Sequence, residues 1–183
     1  SISIETRPEK GEGFAPLASM FKQFELIYVV GDENDLVGLR ASHREEQVFL
    51  FHVMAPPENA RRLFLIYLAR INELAERPEW YHLLSNNCTL NIVRYMNKAG
   101  REGGFEWSHL LNGMFDGYLF SVGLLDTSLP FHELRERSRI TAAAKAAEDA
   151  PDFSTRIRAG LPHLPAPKRE TPSAATMPAQ TPK

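Results

Sequence analysis

Cys88 is the only cysteine of the chain, and the three residues ahead of it are Ser85, Asn86 and Asn87. All three types cap helix N-termini, because their side-chain oxygens accept backbone N–H groups that have no partner inside the helix. After Cys88, the residues Leu90, Val93 and Met96, with Ile92 and Tyr95, recur at three- and four-residue spacing, and Gly100 supplies a stop. The pattern predicts a helix that carries Cys88 in its first turn. Unpaired N–H groups and the positive end of the helix dipole favour a thiolate there, and the thiolate is the reactive form of cysteine. The same spacing puts Cys88, Ile92 and Tyr95 on one face, so a small buried apolar cysteine is the competing expectation.

A thiol nucleophile needs a base, usually histidine, and a third group to orient it. The histidines are His43, His52, His82, His109, His132 and His163. His52 is the best placed, in an apolar run read as a central strand, since papain-type enzymes pair a strand histidine with a cysteine at a helix N-terminus. A half-buried sheet histidine with no catalytic role has the same signature. Nothing in the sequence points to a cofactor or metal. Asp32-Glu33-Asn34-Asp35 lacks the length and distal Glu of an EF-hand and reads as a solvated turn. No Cys/His spacing supports zinc, and neither a glycine-rich phosphate loop nor a Gly-x-Ser-x-Gly elbow is present. Arg135, Arg137 and Arg139 read as a solvated surface rather than a lipid-facing patch.

The elements that must hold these residues fall in a segregated order. Ser1–Arg7, Phe24–Val30, Leu36–Ala41 and Val48–Val53 read as strands, the last nearly continuous in apolar residues. Turns at 31–35 and 44–46 separate the later ones. Pro56-Pro57-Glu58 then opens a long helix with Ala60, Leu63, Phe64, Tyr67, Leu68, Ile71, Leu74 and Ala75 on its apolar face. Arg61, Arg62, Arg70 and Glu73 take the other side. Glu79-Trp80-Tyr81-His82 leads to the cysteine segment. Beyond Gly100 come a loop to Gly104, a helical turn at Trp107–Leu111, an apolar segment Phe115–Val122 of undetermined state, and helices at Pro130–Arg137 and Thr141–Asp149. Ala15–Phe21 is either a short helix or an ordered loop. Phe153, Ile157 and Leu161 are expected to pack on the domain. Strands first and helices after argue an α+β fold, helices packed on an antiparallel sheet. Residues 1–162 form one domain, and the Pro/Ala-rich 163–183 cannot build a core and are expected to be disordered.

Composition bounds the partners. Of 183 residues, 43% are apolar and 24% charged, the balance of a soluble globular domain, and a net charge of −2 gives no case for nucleic acid. One cysteine excludes an internal disulfide. No apolar run approaches the roughly 20 residues that span a bilayer. The chain opens directly on the alternating Ser1-Ile2-Ser3-Ile4, as expected of a piece of something longer, which leaves room for an export signal or membrane anchor ahead of Ser1.

Several motifs together resemble the Lnb N-terminal periplasmic domain family of bacteria. They are Ile4-Glu5-Thr6-Arg7, Glu25 to Glu33, Pro78-Glu79-Trp80-Tyr81, Asn87-Cys88-Thr89, Leu111-Asn112-Gly113, Ser128-Leu129-Pro130-Phe131, and Phe153-Ser154 with Ile157-Arg158. The resemblance runs from Ser1 to about Pro162. It implies a permuted papain-like (NlpC-type) α+β fold, incomplete at its N-terminus, and thiol-dependent acyl transfer related to lipoprotein N-acylation at the periplasmic face of the inner membrane. It implies phospholipid or lipoprotein as substrate and contact with the membrane through a segment outside these residues. Cys88 matches the nucleophile. The family's base histidine falls upstream of the stretch that matches Ser1, which makes Glu5 the candidate orienting carboxylate and His52 incidental. The alternatives are a cysteine amidase or peptidase acting on cell-wall peptide, and a non-catalytic binding or scaffold domain.

Overall fold

A computed structural model describes residues 1–7, 24–82, 85–100 and 115–162. Strand β1 (Ile2–Arg7) pairs antiparallel with β2 (Phe24–Val30), Ile4 opposite Tyr28 and Glu5 opposite Ile27. β2 is the centre of a three-stranded sheet, and its other neighbour is the two-residue β3 (Trp80–Tyr81), also antiparallel. Alternation along β2 sends Phe24, Leu26 and Tyr28 to one face, where they meet Ile4, Tyr81 and Leu74 in an apolar cluster. Glu25, Ile27 and Val29 point to the other.

That first face is covered by α1 (Pro57–Glu76), started by Pro57 at a position where its missing N–H costs nothing. α2 (Cys88–Lys98) lies beside α1. Gly100, just past its end, has φ +108°, the left-handed conformation that closes a helix at low cost to glycine alone. A Cβ at Gly100 would lie 3.3 Å from Asn59 Oδ1, so the end of α2 meets the start of α1 and the two helices run antiparallel. α1 is rotated from the expected apolar face. Leu63, Tyr67, Ile71 and Leu74 are half-buried, but Phe64 and Leu68 stay exposed while Arg70 turns inward.

Two expected strands do not form. Asn34–His43, which contains the expected strand Leu36–Ala41, is a π helix. The Asp32 side chain accepts the Asn34 N–H at 3.0 Å, and the Asp32 carbonyl accepts the Leu36 N–H at 3.1 Å, so the acidic turn winds the chain into a helix instead of a hairpin. The expected strand Val48–Val53 is extended, with a lone bridge, Phe49 to Arg139, and no place in the sheet. Its apolar residues are absorbed by helices on both sides. Val48 and Leu50 pack on a cluster of Ala41, Ile140, Ala144, Phe153 and Ile157, while Phe51 packs on Tyr118, Leu119, Leu125 and Leu134. A segment whose apolar residues are half-buried against two different clusters has the same uniform apolar pattern as a central strand.

The remaining helices are α3 (Phe115–Ser121), α4 (Phe131–Arg137), α5 (Thr141–Ala146) and α6 (Phe153–Arg156). Phe153, Ile157 and Leu161 are buried, as expected. The expected elements at Ala15–Phe21 and Trp107–Leu111 and the tail 163–183 lie outside the described residues. The result is a mixed α+β fold with a smaller sheet than expected.

Candidate functional site

Asn87 is the N-cap of α2, with extended backbone, and its Oδ1 accepts the Leu90 N–H at 2.8 Å. It is fully buried. Cys88 is thereby the first helical residue, as the sequence predicts, and it is half-buried, not sealed in the core.

The polar groups around this helix start are joined in a closed ring. Arg70 of α1 donates from Nε to the Tyr95 hydroxyl at 3.1 Å, and Tyr95 donates to Asn91 Oδ1 at 3.2 Å. Asn91 Nδ2 donates to Asn86 Oδ1 and to the Asn87 carbonyl, both at 3.0 Å. Asn86 Nδ2 donates to Glu79 Oε2 at 3.3 Å and to the Trp80 carbonyl at 2.9 Å. Arg70 Nη2 closes the circle on Glu79 Oε1 at 2.9 Å. The Tyr28 hydroxyl of β2 joins at Tyr95, 2.6 Å away.

The charges follow from this packing. Burial and the bond to Tyr95 push Tyr28 well above the ordinary phenol range. Burial, then Tyr95 and Cys88, raises Tyr67. Both stay protonated at neutral pH, and Tyr67 is in electrostatic contact with the thiol. Burial opposes the charge on Arg70, but its bonds to Glu79, Glu73 and Tyr95 outweigh that and hold its pKa above the ordinary range. Tyr67 also sets its ring edge-on to Tyr95, centroids 5.3 Å apart, and to Tyr28, 6.1 Å apart.

The other sequence candidates lie elsewhere. His52 is exposed, in the extended segment and not on a sheet strand, so the strand-histidine argument for it as the base falls. Among the described residues no hydrogen bond or ion pair joins His52 to Cys88. Glu5 is on the sheet face away from Tyr28 and α2. Its carboxylate pairs with Arg40 of the π helix and accepts from Ser3 Oγ at 2.6 Å. Among the described residues no hydrogen bond or ion pair joins Glu5 to the thiol either. His82 is tied to Asn86 through backbone bonds, His82 N–H to the Asn86 carbonyl at 3.2 Å and the reverse at 2.8 Å. Arg70, Glu79, Asn91 and Tyr95 are residues the sequence analysis missed. Their one legible signal was spacing: Asn87, Asn91 and Tyr95 stand four apart, on one helix face.

No group of three or more His, Cys, Asp or Glu side chains among the described residues is arranged to hold a metal, and no helix there is long and apolar enough to cross a membrane. Fold and site define a mixed α+β domain that presents one capped cysteine beside a tyrosine-rich polar ring. Residues 1–110 match the Lnb N-terminal periplasmic domain family, and the chain belongs to it. No curated protein and no solved structure matches the chain.

Proposed function

We propose that Cys88 is the nucleophile of a thiol-dependent acyl transfer at the bacterial cell envelope. The observation that supports this most is the placement of Cys88 at the first position of α2, behind a buried Asn87 cap and short of full burial. Helix N-terminal N–H groups there stabilise negative charge, on the thiolate and on an oxyanion forming beside it. Membership of a periplasmic domain family supplies the setting.

In this reading the Sγ thiolate attacks the ester carbonyl carbon of a phospholipid acyl chain. A C–S bond forms, the ester C–O bond breaks, and the departing alkoxide takes the proton that the base removed from the thiol. The free amine of a lipoprotein then attacks the thioester. A C–N bond forms, the C–S bond breaks, and the amine's surplus proton leaves through the base. The family resemblance assigns that base to a histidine upstream of the stretch matching Ser1.

In the whole protein, Cys88→Ala is expected to abolish acyl transfer from phospholipid to lipoprotein while leaving Tm unchanged; undiminished transfer overturns the reading. Alkylation of Cys88 by iodoacetamide at pH 7, followed by peptide mass spectrometry, is expected to run faster in the folded protein than in the urea-unfolded chain, where the helix start is lost. A parallel incubation with muropeptide separates the reactions, since cleavage there without lipid transfer would assign the same thiol to cell-wall peptide.

A further inference from the structure

We propose that the Arg70–Tyr95–Asn91–Asn86–Glu79 ring positions Cys88, with Glu79 and Arg70 as its positioning residues. The inference rests on the reading of Cys88 as a nucleophile only for its consequence in catalysis; the ring's effect on the thiol is measurable by itself.

Proton counting shows why the ring has one arrangement. Tyr95 has one proton, and Asn91 Oδ1 takes it. The Tyr95 oxygen therefore accepts from Arg70 and from Tyr28, which uses its two lone pairs. Both Asn91 amide protons are spent, on Asn86 and on the Asn87 carbonyl. Both Asn86 amide protons are spent, on Glu79 and on the Trp80 carbonyl. No amide in the ring can flip without setting donor against donor or acceptor against acceptor. Asn91 thereby grips the two residues that immediately precede Cys88, and Asn86 binds them to β3.

The circle closes only if Glu79 is a carboxylate. One oxygen receives Arg70 and the other receives Asn86, so each side needs an acceptor. A glutamine at 79 must turn its NH2 toward one of two donors. Glu73 is the internal control. It also accepts from Arg70, at 2.6 Å, but it is exposed, on α1 itself and outside the circle.

The titratable and charged groups at this end of α2 are Tyr67, which interacts with the thiol, Arg70 of α1, Tyr28 and Tyr95 in the ring, Glu79 and His82 on either side of β3, and Arg94 of α2, which donates to the Ser85 carbonyl at 2.9 Å. None of them is altered in the Glu73 variant, and only Glu79 is altered in the test variant.

The test is the pH profile of Cys88 alkylation in the whole protein for wild type, Glu79→Gln and Glu73→Gln, each checked for Tm. Glu79→Gln is expected to move the midpoint up by about half a unit, roughly a threefold slower reaction at pH 7, as the helix start loosens around the sulfur; loss of the carboxylate's charge alone would move it down. Glu73→Gln is expected to match wild type. A Glu79→Gln profile that coincides with wild type or moves down, or a Glu73→Gln shift of equal size, overturns the ring's role. Should Glu79→Gln fail to fold, Asn86→Ala replaces it, since that change removes the partner of both Glu79 and Asn91 without altering charge and is expected to shift the midpoint up as well; no shift there overturns the proposal. The wild-type rate against the unfolded chain alone bears on Cys88 as a nucleophile, and the difference between variants alone bears on the ring, so the two fail separately.

Discussion

Asn87 has two tasks at the head of α2: its side chain satisfies the Leu90 N–H, and its carbonyl is held by Asn91. Both tasks act on the residue next to Cys88, so a defect at 87 reaches folding and reactivity together. Asn87→Ala is expected to cost about 1–2 kcal/mol of stability, read from urea unfolding, and to slow Cys88 alkylation at neutral pH. A stability loss with an unmoved alkylation profile would mean the cap holds the helix without holding the thiol. The capping types at 85–87 were legible in sequence because a cap is a local bond, made within three residues. Arg70 was misread as a solvent-side residue because its charge suggests exposure. Its partners Tyr95 and Glu79 are supplied by other elements, and only with them does the guanidinium become stable at a half-buried position.

At the scale of elements, β1 is held from both sides by different chemistry. Ile4 faces the apolar cluster under α1, while Glu5 faces the π helix and its Arg40. Arg40 also donates to Glu46 at 3.1 Å, so Glu5 belongs to a bridge between the sheet edge and the π helix. Glu5→Gln is expected to cost about 1 kcal/mol and to leave Cys88 alkylation unchanged, because the side chain is on the far face of the sheet. An altered alkylation profile would instead place Glu5 in the orienting role that the family resemblance implies. The helices Pro57–Glu76 and Cys88–Lys98 and the strands at 2–7 and 24–30 were legible from their periodicity. The π helix at 34–43 was not: Leu36, Val37 and Leu39 fit either a strand or a helix, and the packing of Ala41 and Val37 on the distant cluster of Ile140, Ala144 and Phe153 favours the helix.

Across the whole molecule, the start of the π helix and the last helical turns are joined by a bidentate ion pair. Arg158 donates to both Glu33 oxygens, at 2.6 and 2.7 Å, and lowers the Glu33 pKa from 4.5 to about 2. The folded state therefore binds its proton less readily than the unfolded chain. The pair's contribution is complete above pH 4.5 and is lost as the pH falls through about 2. Both groups are partly solvated, so the contribution is about 1 kcal/mol. Urea unfolding from pH 6 to 2 is expected to show that loss, and Glu33→Gln to flatten it; an unchanged slope in the variant would assign the acid sensitivity elsewhere. The amino-acid sequence by itself determined the capped cysteine, the two strands of the main pair, the two long helices and the family, since each rests on spacing within one segment or on ordered motifs. Only the tertiary structure decided that 48–53 runs between helical clusters instead of through the sheet, that Trp80–Tyr81 is the third strand, and that Glu5 pairs with Arg40 while His52 is exposed outside the sheet. Those outcomes depend on which surface covers each residue, and a uniform apolar run or a lone charge carries no record of its distant neighbour.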